Sequence, residues 1–81
     1  MDNVTIVFKA EDKKIKVDLE VPLDLSAIDF IESVNTAYGL EIDNIDKVCL
    51  ISENPIAKLS GDKTLRDFGI RQGSIIIFKE T

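Results

Sequence analysis

The chain has 81 residues, room for a single domain at 1–81; a chain of this size buries only somewhat over ~60% of its unfolded surface, so most of its apolar residues must share one core. Apolar residues make up 44% and charged residues 31%, an ordinary globular balance that argues against global disorder. With 10 basic and 15 acidic residues and no histidine, the net charge of −5 speaks against nucleic-acid binding, because phosphate contacts need clustered Lys and Arg.

From about Asn3 to Ala10 the residues alternate, with Val4, Ile6, Phe8 and Ala10 on one parity and Thr5 and Lys9 on the other. That period of two predicts a half-buried strand, on which Val7 places an apolar side chain on the outer face. Glu11-Asp12-Lys13 is a polar turn, after which Ile15, Val17, Leu19 and Val21 alternate with Lys14, Lys16, Asp18 and Glu20. The two runs make a hairpin, and Pro22 ends the second because it has no N–H to continue a ladder. The cluster Lys13, Lys14 and Lys16 is interleaved with acids and reads as a solvated face.

The period then changes. Ser26 and Asp29 have the spacing of a capping box, Ala27, Ile31, Val34 and Tyr38 recur at helical intervals, and Ile28 and Phe30 widen the stripe. Gly39 supplies the stop, giving one amphipathic helix of about three and a half turns. Its apolar face has an obvious destination in the apolar parity of the hairpin. Leu40 to Asp46 is an acidic connector, and Lys47 to Ser52 is expected to be a third strand, apolar on both parities. Asn54-Pro55 marks a turn, Ile56 to Leu59 a marginal edge strand, and Ser60-Gly61-Asp62 a further turn.

The last stretch reads as one capped helical turn followed by a buried strand. Thr64 and Asp67 form a second capping box, Gly69 ends the turn, and Gly73 leads tightly into Ile75-Ile76-Ile77-Phe78. A strand apolar on both faces belongs in the middle of a sheet or keeps one face for a partner. The expected class is α+β.

Few residues suggest chemistry. Without His, Ser/His/Asp and Cys/His catalysis and His-containing zinc sites are excluded, so no catalytic residue, cofactor or metal is expected. Cys49 cannot form an internal disulfide and reads as a small hydrophobe in a strand. Glu41, Asp43 and Asp46 lack the glycine and distal Glu of a calcium loop, and Gly61-Asp62-Lys63-Thr64 lacks the upstream glycine of a phosphate loop. Asn3-Val4-Thr5 matches a glycosylation sequon that carries no meaning without a secretory signal. No signal-peptide segment and no run near ~18 apolar residues is present, so a cytoplasmic location without direct membrane insertion is expected.

The pattern TL-x-D-x-GI-x-x-GS-x-I at Thr64 to Ile76 resembles the end of a ubiquitin-like β-grasp domain. The similarity covers nearly the whole chain, from TIVFKA and IKVDLEVP through DLSAIDFIESVNTAYGL to ENPIAKLSGDKTLRDFGIRQGSIIIF. Its length and the segment NPI-x-x-L-x-GDKTL look most like the YukD/EsaB family, small ubiquitin-like proteins associated with type VII (WXG100) secretion systems of Gram-positive bacteria. The resemblance implies a mixed sheet with the first and last strands parallel at its centre, one helix on one face and the other face open. It also implies a non-covalent accessory protein that docks on a larger component, such as a secretion ATPase or membrane subunit. Conjugating modifiers and sulfur carriers end in a flexible Gly-Gly tail, whereas this sequence ends Phe78-Lys79-Glu80-Thr81, so that alternative is disfavoured.

With Ile76 and Phe78 turned to the helix, Ile75 and Ile77 are expected to point away from it. The resemblance sets the third strand beside them, with Ile51 and Cys49 on the same outer side and Val7 extending the patch on the first strand. These five residues, Val7, Cys49, Ile51, Ile75 and Ile77, form the candidate protein-binding patch. Neither the oligomeric state nor the direction of any regulation is legible in the sequence.

Overall fold

A computed structural model describes residues 2–79. The elements run β1 (Asn3–Ala10), β2 (Ile15–Pro22), α1 (Ala27–Tyr38), β3 (Leu50–Glu53), β4 (Ala57–Leu59) and β5 (Ile75–Phe78), and short 3-10 turns occupy Glu11–Lys13 and Ile45–Lys47. The five strands form one sheet in the order β2-β1-β5-β3-β4. The two central strands, β1 and β5, run parallel, and every other neighbouring pair is antiparallel.

The alternation in β1 is realised in full. Ile6, Phe8 and Ala10 are wholly buried, and the Phe8 ring meets Phe30 edge-on at 6.1 Å and stacks on Tyr38 at 5.9 Å. Those contacts place α1 across the face that carries the even residues of β1. Ile76 and Phe78 of β5, Leu50 of β3 and Leu59 of β4 join the same cluster. Aromatic pairs at such spacings add to the stabilisation from area burial alone.

The start of α1 is built by distant residues as much as by its own cap. Ser26 Oγ accepts the amide of Asp29 at 3.2 Å, but the Ser26 amide does not donate back to the Asp29 carboxylate, so only half of the expected box is present. The amides of Ala27 and Ile28 instead donate to the carbonyls of Lys63 and Gly61, each at 2.9 Å. Three of the four N–H groups that a helix start leaves without intrahelical partners are thus satisfied, and the Phe30 amide on the Ser26 carbonyl is the first bond of the helix itself. At the other end Gly39, at φ 62°, bonds back to Asn35, and the Asn35 side chain accepts the amide of Ile42.

The second capping box forms completely: the Thr64 amide donates to Asp67 Oδ2 at 3.1 Å, and the Asp67 amide to Thr64 Oγ1 at 3.2 Å. It encloses the expected single turn, which the Phe68 amide closes on the Thr64 carbonyl at 3.3 Å and which does not continue into a regular helix. The turn is also tied to the segment that precedes α1. Thr64 pairs as an isolated bridge with Ser26, and the amides of Leu65 and Arg66 donate to Leu25 and Leu23, so this backbone is already bound to the loop before α1.

The third strand also differs from expectation. Instead of Lys47 to Ser52, it spans Leu50–Glu53, because Asn44 to Val48 coil into the 3-10 turn, with the Val48 amide bonded to Ile45. Its partner β4 pairs only from Leu50 to Ser52, so nothing on that side holds Val48 and Cys49 in a ladder. The edge strand itself begins at Ala57, one residue later than expected, which leaves Ile56 in the turn.

Candidate protein-binding face

Strand register sets what the face opposite α1 presents. Lys16 lies opposite Lys9, Lys9 opposite Ile77, Ile77 opposite Ile51, and Ile51 opposite Lys58. The next row contains Asp18, Val7, Ile75 and Glu53. Four apolar side chains on three adjacent strands thus form the middle of the face, with lysines at both ends of one row and carboxylates at both ends of the other. Strands lie ~4.8 Å apart, so Lys9 and Lys58 stand roughly 14 Å apart across the two isoleucines.

The expected parity holds: Ile75 and Ile77 turn away from α1, and Ile51 and Val7 share their side. Access differs among them. Ile51 is 37% exposed, Val7 and Ile75 are half-buried, and Ile77 is only 8% exposed although it stands apart from the core cluster. Ile77 lies on a central strand between a long lysine stem and Ile51, which leaves little room for water. Cys49 is exposed but precedes β3, at the rim of an open recess formed by the Leu40 to Asn44 connector and Phe78. It is therefore outside the strand in which it was expected.

The sequence did not single out Lys9, Lys58 or Glu53 as parts of this face, because their adjacency arises from register between distant strands. It also missed Ile56, which is 88% exposed. This side chain is presented by a firmly held turn. Asn54, at φ 59°, accepts from Arg71 through its side chain and from the buried Ser74 hydroxyl at 2.7 Å through its carbonyl, and the buried Ser52 hydroxyl donates to the Pro55 carbonyl. A signal was present in two polar residues, Ser52 and Ser74, at otherwise apolar core-facing positions.

Charge on the face is uneven. The pair Lys9 and Lys16 places like charges directly opposite, an arrangement that destabilises a sheet. Among the described residues Lys9, Lys16 and Lys58 form no ion pair; the ion pairs present join Arg66 to Asp2 and Asp24 at 3.2 and 3.3 Å. The hydrogen bonds that the Arg66 guanidinium donates to those carboxylates, Asp2 first, raise its pKa above the ordinary value. No group of three His, Cys, Asp or Glu residues among the described residues is gathered to hold a metal. No helix among them is long and apolar enough to cross a membrane. What the arrangement offers is an apolar centre with charged ends.

Solved structures share the fold at low sequence identity. The C-terminal ubiquitin-like domain of mouse tubulin-specific chaperone e superposes with a TM-score of 0.78 at 10% identity, over 99% of this chain and 88% of that one. Tubulin-binding cofactor B of Trypanosoma brucei gives 0.75 at 15% identity, over 98% and 95%. The ubiquitin-like domain of the Mycobacterium tuberculosis type VII secretion system protein EccD1 gives 0.57 at 13% identity, over 99% and 100%. No curated protein sequence matches the chain. Residues 3–78 match the family described as WXG100 protein secretion system (Wss), protein YukD. With that match across almost its full length, on a ubiquitin-like β-grasp fold, the chain belongs to the YukD family.

Proposed function

We propose that this protein is a single, non-enzymatic ubiquitin-like domain that works in the cytoplasm by non-covalent protein binding, as an accessory factor of a type VII secretion system. The sheet face opposite α1 is its contact surface, and a larger component such as the secretion ATPase or a membrane subunit is its partner. The observation that carries this reading is the juxtaposition of Val7, Ile75, Ile77 and Ile51 on three adjacent strands, on the face that the helix leaves uncovered. Adjoining apolar side chains with a polar rim are the anatomy of a protein contact.

The test is a crosslinking capture from the native cell with wild-type protein and with Ile51→Asp. Ile51 is the most exposed apolar residue of the patch, so a carboxylate there can stay hydrated while it opposes an apolar partner. Recovery of type VII secretion components by the wild type, and their loss with a folded Ile51→Asp protein, supports the reading. Equal recovery by both proteins moves the contact to another surface. Recovery of an adenylating enzyme in place of secretion components overturns the non-covalent mechanism.

A further inference from the structure

The edge strand β2 has charges segregated along its length: Lys16 comes first, Asp18 and Glu20 follow, and Lys14 stands in the turn just before the strand. Its backbone phase is fixed by the bond from the Leu23 amide to the Asp2 carbonyl, at a register that continues through Val21 on Val4, Leu19 on Ile6 and Val17 on Phe8. In an antiparallel pair, bonded positions alternate with non-bonded ones along each strand. Hence the odd residues of β2 spend their N–H and C=O groups on β1, and those of Lys16, Asp18 and Glu20 point outward from the sheet edge. β2 is a terminal strand, so these groups have no neighbouring strand. At the end of the row stands Pro22, which has no N–H to present.

We infer that this edge is the interface for a second copy of the chain, two β2 strands pairing antiparallel about Val17 to extend the sheet across a twofold axis. In that register Lys16 of each copy meets Asp18 of the other, and Lys14, in the turn just before β2, comes near Glu20 at the end of the paired segment. The N–H and C=O of Lys16 bond those of Asp18 in the second copy, and the reverse. On the helix side Val17 meets Val17 as a non-bonded pair, the type with the closer side chains, and Ile15 meets Leu19. Those residues are half-buried in the monomer, whereas Ile6, Phe8 and Ala10 on the adjacent strand are fully covered.

Neighbouring registers do not have this complementarity. Centring the pair on Asp18 opposes two carboxylates, and centring it on Lys16 opposes two ammonium groups, in each case directly across the twofold axis. The Val17-centred register also brings the carboxylate of the second copy beside Lys16, on the side away from Lys9, and so relieves the like-charge pair described above. Glu20, which accepts from Asn3 Nδ2 at 3.1 Å, retains a second oxygen for Lys14. A closed isologous contact of this kind covers a long bare strand edge that would otherwise recruit other strands. The outer faces of both copies stay free, so the inference does not depend on the function proposed above.

Sedimentation equilibrium from micromolar to millimolar concentration tests this with the wild type, Lys16→Glu, Asp18→Lys and the double variant. Both residues are exposed, and circular dichroism checks that each variant is folded. The wild type is expected to dimerise with rising concentration, each single variant to weaken the dimer at least about tenfold, and the charge-swapped double variant to recover it to within about threefold. In parallel, hydrogen exchange at the amides of Lys16 and Asp18 should slow as concentration rises, while Val17 and Leu19, already bonded within the chain, stay unchanged. A wild type that remains monomeric throughout overturns the proposal and leaves the edge to a strand from another protein. Single variants that dimerise like the wild type, or a double variant that fails to recover, overturn it as well.

Discussion

The two faces of the central strands are made of similar residues and do different things. Ile76 and Ile77 are adjacent on β5; the first is fully buried among Phe8, Leu50 and the helix side chains, and the second is outside the core cluster at the middle of the opposite face. Apolar content alone therefore does not identify core. A residue becomes core when another element is laid over it, and here the single helix can cover only one side of a five-stranded sheet.

The contrast is most exposed to refutation at Phe8. Its ring touches both Phe30 and Tyr38, and Phe8→Ala is expected to cost about 3–5 kcal/mol, enough to remove much or all of a small domain's stability. Urea denaturation monitored by circular dichroism gives the value; a cost below about 1 kcal/mol would mean that the helix does not seal this face. A smaller loss is expected for Ser74→Ala. The buried hydroxyl accepts the Arg71 amide at 3.0 Å and donates to the Asn54 carbonyl, and both backbone groups lose their partner, at about 1–3 kcal/mol. Because Ser74 immediately precedes β5, amide exchange in Ile75 to Phe78 should quicken in the same variant. The smallest effect belongs to the outer face: Ile75→Ala is expected to cost less than about 1 kcal/mol, against about 2–5 for Ile76→Ala on the covered side. Equal costs at the two positions would erase the distinction between the faces.

Much of this fold was legible because its signals are local. The alternation in Asn3–Ala10 and Ile15–Pro22 is a property of consecutive residues, and so are the helical spacing of Ala27, Ile31 and Val34, the stop at Gly39 and the box between Thr64 and Asp67. Even the direction of Ile75 and Ile77 followed, since the parity of a strand is set once one residue is known to face the core. The ends of β3 did not follow. Val48 and Cys49 are apolar enough for a strand, but a ladder needs a partner backbone, and the one on that side reaches only Leu50.

What the sequence by itself determined about this protein is a set of elements, the parity of each strand and membership of a ubiquitin-like family. Only the tertiary structure decided which side chains are neighbours: Lys9 against Lys16 and Ile77, Ile51 between Ile77 and Lys58, the Lys63 and Gly61 carbonyls on the first amides of α1, and the Ser52 and Ser74 hydroxyls on the Asn54-Pro55 turn. The physical reason is range. Backbone periodicity and capping act within a few residues, whereas exposure and charge adjacency on a sheet depend on the register between strands far apart in the chain, which closes only when the whole core forms.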